Sequence, residues 1–182
     1  QASEMEIAAA RGGKATLGAR FDDVTAQLAD IITLKPTGNA DEDTLNIQTA
    51  LNNSRIVKFS NIKDKPVLVN QTIVIEPIDE TISNVSANGR IIDFNNAVIR
   101  STNPNTVNLF EIKSYTFPKY AKNYIIKNAI FDGQVENSFL HIDNCYFVYS
   151  NVENIKTTND CYADSLINIV NTHNASQGGV NT

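Results

Sequence analysis

From residue 56 onward, apolar residues come in short runs of three to five, many alternating with polar ones. The runs fall at 56–59, 67–69, 72–75, 91–94, 97–100, 108–112, 124–126, 129–131, 139–142, 146–149, 152–155 and 166–170. Turn-forming residues separate them: Asn88-Gly89, Asn103-Pro104-Asn105, Asp132-Gly133, Asn144 and Thr158-Asn159. Period-two alternation bounded by such residues predicts β-strands with one buried face. Upstream the period changes. Leu17, Phe21, Val24, Leu28 and Ile31 are spaced 4, 3, 4 and 3 apart, a short heptad seam that Thr33 and Lys35-Pro36 end. Residues 41–53 read as a second, amphipathic helix. Gly38 and Asn39 form the turn before it, Asp41 and Asp43 are candidate N-caps, and Leu45, Ala50 and Leu51 share one side with Ile47 nearby.

Many short strands also suit a β-sandwich. Internal similarity favours stacking. Leu109-Phe110-Glu111-Ile112, Phe139-Leu140-His141-Ile142 and Leu166-Ile167-Asn168-Ile169 start 30 and 27 residues apart. A second set, starting at Asn96, Asn128 and Asn151, is spaced 32 and 23. Two interleaved strand types at such spacing are the signature of successive coils of a parallel β-helix. The three asparagines are then expected near one corner, since Asn tolerates the left-handed backbone of tight turns. The last repeat begins a coil that the chain does not finish, so the 182 residues are expected to be the N-terminal portion of a larger protein.

Two sequence segments carry a resemblance. EIAAARGGKATLGARFD, over 6–22, resembles the "E-(I/V)-x-x-A-R-G-G-x-x-T-L-G-x-R-(L/F)-D" opening of tail-appendage and tailspike proteins of phages of Gram-positive bacteria, the pre-neck appendages of short-tailed phages above all. DTLNIQTAL, over 43–51, resembles the "D-x-x-x-I-Q-x-A-(I/L)" helix that caps the first coil of pectate-lyase-like right-handed β-helices. The glycine-rich run that follows in that family is absent: residues 54–60 read SRIVKFS. The resemblance implies a mostly β fold. Residues 1–36 are expected to hold a virion-attachment segment and a short coiled-coil-like helix, and residues 37–182 a capping helix and the first coils of a right-handed parallel β-helix. It also implies a structural protein of the virion tail, assembled in the host cytoplasm as a homotrimer. Leu17, Phe21, Val24, Leu28 and Ile31 would form its oligomer contact, although the seam by itself also suits a helix lying on its own domain. Ile7, Arg11, Gly12, Gly13 and Leu17 would grip a tail or neck protein, and the full-length protein would meet a host cell-wall glycan. An alternative is a polysaccharide lyase or hydrolase, and a third reading is a glycan-binding module without catalysis.

Composition narrows the chemistry. The net charge of −5 and the absence of a basic cluster argue against a nucleic-acid surface. No apolar run reaches the length of a membrane span, and residues 7–10 are too short for a signal peptide. Cys145 and Cys161 are sixteen apart, and His141 and His173 do not complete a zinc-ligand spacing. Both cysteines read as small buried or half-buried residues. No cofactor or metal is called for. The acidic candidates are Asp93, Glu111, Asp132, Asp143, Glu153 and Asp164. Asp132-Gly133 reads as a turn, while Asp93 and His141 are expected to point outward from strands. No catalytic constellation emerges. Tyr115, Phe117, Tyr120 and Tyr124, with Lys113, Lys119 and Lys122, cluster around Pro118. They read either as a side loop packing its own aromatics or as a glycan contact through Tyr115, Lys119 and Tyr120.

Overall fold

A computed structural model describes residues 16, 19, 31–76, 78–79, 89–113, 119–143, 147–148 and 150–170, with the backbone alone at 78–79, 113, 119–122 and 147–148. Its strands are short and parallel pairing dominates. One sheet has the order β1-β2-β6-β10-β14, built from Ile31–Leu34, Ile56–Phe59, Ile91–Asp93, Ile125–Lys127 and Asn151–Glu153. A second has the order β3-β7-β11-β15, from Val67–Val69, Val98–Ser101, Ile130–Gln134 and Lys156–Tyr162. The third, β4-β8-β12-β16, comprises Ile73–Val74, Asn108–Lys113, Ser138–Asp143 and Ser165–Val170. All pairs within these three sheets are parallel. From β2 on, each strand pairs with the one four positions later. A smaller sheet joins β5 (Ile78–Asp79), β9 (Lys119–Lys122) and β13 (Phe147–Val148), with β5 antiparallel to β9.

These findings correct the expected fold. In place of a right-handed parallel β-helix preceded by a helical oligomerisation segment, the described residues show a mostly β protein with three parallel sheets of four to five strands and one 14-residue helix. Parallel strands are compatible with a β-helix, but no closed or helical-solenoid topology is shown, and the fourth sheet mixes strand directions. The physical reason is that alternation fixes which face of a strand is buried and repeat spacing fixes its neighbour, whereas neither specifies closure. The C-terminal end of the heptad seam is also corrected. Ile31 begins β1 and pairs with Ile56 of β2. The β-branched sequence Ile31-Ile32-Thr33 fits a pleated strand better than a helix. Leu17, Phe21, Val24 and Leu28 lie outside the described residues.

Inward positions fill one core. Val57, Phe59, Val69, Ile73, Ile92, Phe94, Ile99, Phe110, Ile126, Phe131 and Phe139 are all buried. Aromatic rings thread through it. Phe59 stacks on Phe94 at 4.8 Å, Phe94 meets Phe110 edge-on at 5.3 Å, and Phe131 stacks on Phe139 at 5.1 Å. Each such pair adds about 0.5–1.5 kcal/mol beyond simple burial.

The helix α1 (Ala40–Asn53) packs against β1, β3 and β4. Its N-cap is Asn39, whose side chain accepts from the amides of Asp41 and Glu42 at 2.9 and 3.1 Å. Ile47, Ala50 and Leu51 are buried, together with Asp43 and Thr44. Leu45, expected on that side, is 65% exposed. The polar members of the buried stripe satisfy strand edges. Asp43 Oδ2 accepts from the Leu68 amide (2.9 Å), Thr44 Oγ1 accepts from the Asn70 amide (3.1 Å), and Gln48 exchanges two bonds with the backbone of Val74 (2.8 and 2.9 Å). Among the described residues, β3 and β4 each have a strand partner on one side only. The helix therefore supplies polar partners that a missing strand would have supplied. At the other end of α1, Arg90 Nη1 donates to the carbonyls of Leu51 and Ser54, which complements the helix terminus.

Candidate functional site

The backbone torsions that turn one sheet into the next come from asparagine. Asn95, Asn96, Asn128 and Asn154 all adopt positive φ, between 51° and 60°. Asn154 Nδ2 donates to Asn128 Oδ1 (2.7 Å), and Asn128 Nδ2 donates to Asp93 Oδ1 (2.8 Å). The third corner asparagine is thus Asn154. Asn151 instead pairs with Ile125 inside β14. Asp93 also accepts from the Asn95 amide (2.9 Å) and lies 3.9 Å from Lys127 Nζ, so this strand carboxylate belongs to the corner.

Four residues beyond each corner asparagine, the outward face of the β3-β7-β11-β15 sheet carries Arg100, Asp132 and Thr158. Ile99 and Ser101 of β7 are buried, so alternation turns Arg100 the other way. Arg100 and Asp132 are register partners on adjacent strands. Arg100 Nε donates to Asp132 Oδ2, and Thr158 Oγ1 donates to Asp132 Oδ1. Asp132 is 3% exposed, whereas the Arg100 side chain is 49% exposed. Burial alone would raise the Asp132 carboxyl pKa. The Thr158 hydroxyl, the Arg100 guanidinium and the Gly133 amide together outweigh it, and the net shift is downward from 3.8. Cys161 is half-buried, and its thiol is pushed above 9.0 by burial first and by the Asp132 charge second.

The expected Asp132-Gly133 turn is corrected: both residues lie inside β11. Gly133 has φ of +81°, and a Cβ there would sit 2.3 Å from the Ser101 carbonyl oxygen. Only glycine permits that approach. The β11–β15 register shifts between Phe131 and Gly133, as at a bulge.

Above Arg100 lies an open groove of about 410 Å³. Its floor includes Val98 and Arg100, and its wall is the segment containing Ile62, Lys63, Asp64 and Lys65. An Ile62–Lys65 bridge closes this segment as a tight turn, with Asp64 at φ 58°. Among the described residues, the two Nη groups of Arg100 have no hydrogen-bond partner, and neither Lys63 nor Lys65 forms an ion pair. No protein-family model, curated protein or solved structure matches the chain.

The other candidates disperse. Ile31 stands 41% exposed in β1. Ile7, Arg11, Gly12, Gly13 and Tyr115 lie outside the described residues. Lys119 and Tyr120 open β9, their backbones paired with Asp79 and Ile78. Tyr124 is fully buried and donates its hydroxyl to the Glu76 carbonyl at 2.9 Å. His141 was expected to face solvent but is 8% exposed, with Nδ1 unpartnered and Glu111 and Asn168 as register neighbours. Asp143 Oδ1 is likewise buried without a partner. Among the described residues no three His, Cys, Asp or Glu side chains are arranged to hold a metal, and no helix is long and apolar enough to cross a membrane. Arg100 was never a sequence candidate, because an isolated strand arginine reads as a solvated surface charge. The repeat spacing that places the corner asparagines could have found it.

Proposed function

We propose that the chain is the N-terminal part of a phage tail spike or appendage, a structural protein of the virion. It attaches to a tail or neck protein through residues 4–16 and holds a host-glycan-binding body outward. The observation that carries the reading is the order of the two motifs, 6–22 and then 43–51, with the second forming a helix that closes strand edges. Support also comes from the Asn154–Asn128 bond between neighbouring corners, which ties adjacent parallel strands to one another. The working form is a homotrimer assembled in the host cytoplasm, with Leu17, Phe21, Val24 and Leu28 facing sister chains. Left in water, each large residue of that stripe would cost about 1.5–3 kcal/mol relative to burial.

Analytical ultracentrifugation tests this. The wild-type chain should sediment as a trimer. Phe21→Asp should shift it toward monomer while the β circular-dichroism signal stays intact. A wild-type protein that is monomeric both in solution and on the purified particle would overturn the proposal.

A further inference from the structure

We infer that the groove over Arg100 is a binding site for an oxyanion group, a carboxylate or a phosphate, carried on an extended solvent-facing chain. This inference does not depend on the virion reading. Asp132 and Thr158 hold the arginine from one side. The buried carboxylate takes Nε through Oδ2, and Thr158 fixes the other carboxylate oxygen. The guanidinium is therefore oriented before any ligand arrives, which lowers the ordering cost of binding. Arg100 lines the groove, its Nη donors have no partner among the described residues, and a planar fork of N–H groups matches two oxygens of one anion.

The surroundings agree. Lys63 and Lys65 line the same groove without ion-pair partners among the described residues. Asp64 also lines the groove, while the buried Asp132 lies outside the lining as the ion-pair partner of Arg100, so three cations stand against two carboxylates. A locally positive groove on a chain of net charge −5 is a departure from the general surface, and it focuses attraction on anions. Val98 on the floor and Ile62, 41% exposed, on the wall add apolar surface for the carbon skeleton that carries the anion. The volume of about 410 Å³ holds a unit the size of a sugar or polyol with its charged substituent.

The experiment is a nitrogen-15 NMR titration of the whole chain, read at the Arg100 Nε–H and at the Val98 and Ser101 amides. An oligouronate supplies carboxylates, a glycerol-phosphate oligomer supplies phosphodiesters, and maltohexaose supplies neither. A saturable shift with one or both anionic oligomers and none with maltohexaose is expected, and the arm that saturates identifies the oxyanion. Arg100→Lys, read at the two amides, should weaken binding about tenfold because it keeps the charge and loses the fork. The double variant Lys63→Gln/Lys65→Gln, both on the turn, should weaken it several-fold without disturbing the amide dispersion. The inference is overturned if neither anionic oligomer gives a saturable shift, if maltohexaose shifts the same signals, or if a folded Arg100→Lys and the double lysine variant both bind as wild type.

Discussion

Replacing Asp43 by alanine should be among the most damaging single changes in the helix. Asp43 is 2% exposed. Its Oδ1 accepts from the amide and the hydroxyl of Thr37 at 2.7 and 2.8 Å, and its Oδ2 accepts from the Leu68 amide at 2.9 Å. Bonds to a charged acceptor contribute about 1.5–3 kcal/mol each, and a buried donor left empty costs a similar amount. The Thr37 hydroxyl can find water and is discounted. The two amides leave an expected loss of about 3–5 kcal/mol. Asp43 also lies in the first turn of α1, where a negative charge favours the helix dipole, but that effect is worth only about 0.3–1 kcal/mol. Glu42, exposed in the same turn, isolates the dipole contribution. Urea unfolding of wild type, Asp43→Ala and Glu42→Ala measures the difference, with an unchanged m-value showing that the unfolded state is not responsible. Hydrogen exchange at the Leu68 amide locates the effect. If the two variants lose equal stability, or if Leu68 stays as protected in Asp43→Ala as in wild type, the argument that Asp43 closes the β3 edge is wrong.

Gly133→Ala should lower the melting temperature with a loss of at least about 2 kcal/mol, since it combines left-handed strain with a clash against the Ser101 carbonyl; a loss within measurement error would refute the close approach of β7 and β11. The folded-state pKa of Asp132 is depressed, so its contribution to stability is present above 3.8 and is lost as pH falls through the lower folded value. Melting temperatures measured down an acid series should therefore fall less steeply in Asp132→Asn than in wild type, and parallel curves would count against the network. The same variant removes the charge that suppresses Cys161 ionisation, so peptide-resolved alkylation of Cys161 at about pH 8.5 should be faster than in wild type.

The sequence made much of the strand pattern legible because short amphipathic strands announce themselves locally. The repeat of 30 and 27 residues beginning at Leu109 matches the observed register, in which Asn108, Ser138 and Ser165 are partners. The helix was legible in place but not in orientation. Leu45 looked like core, yet it lies about 200° around the helix from Asp43. The buried stripe holds Asp43 and Thr44, two residues that read as solvated until strand edges are seen to need their oxygens. His141 failed for a related reason: alternation says which face of a strand a side chain occupies, not whether something covers that face. Closure of the sheets was beyond the pattern altogether, since pairing partners do not fix how successive sheets join.

The arginine site follows from spacings in the chain that depend on which asparagine forms the third corner. The corner asparagines Asn96, Asn128 and Asn154 are spaced 32 and 26 residues apart. Arg100 to Asp132 is again 32, and Asp132 to Thr158 is again 26. A residue a fixed distance beyond one corner lies beside its counterparts beyond the other two as far as Phe131 and Thr157; the β11–β15 register shifts just past that pair, yet Thr158 Oγ1 still reaches Asp132. Read with Asn151 as the third corner, the spacing gives 23, and residue 132 is carried to Ile155, which has no polar group to offer. With Asn154, the same step lands on Thr158, whose hydroxyl completes the carboxylate. Composition and local motif could not choose between the two asparagines. The choice rests on which one must adopt positive φ, and that is set by the strand that follows: Lys156 has to stand beside Ile130. A polar stack that is invisible residue by residue thus follows from placing one corner correctly.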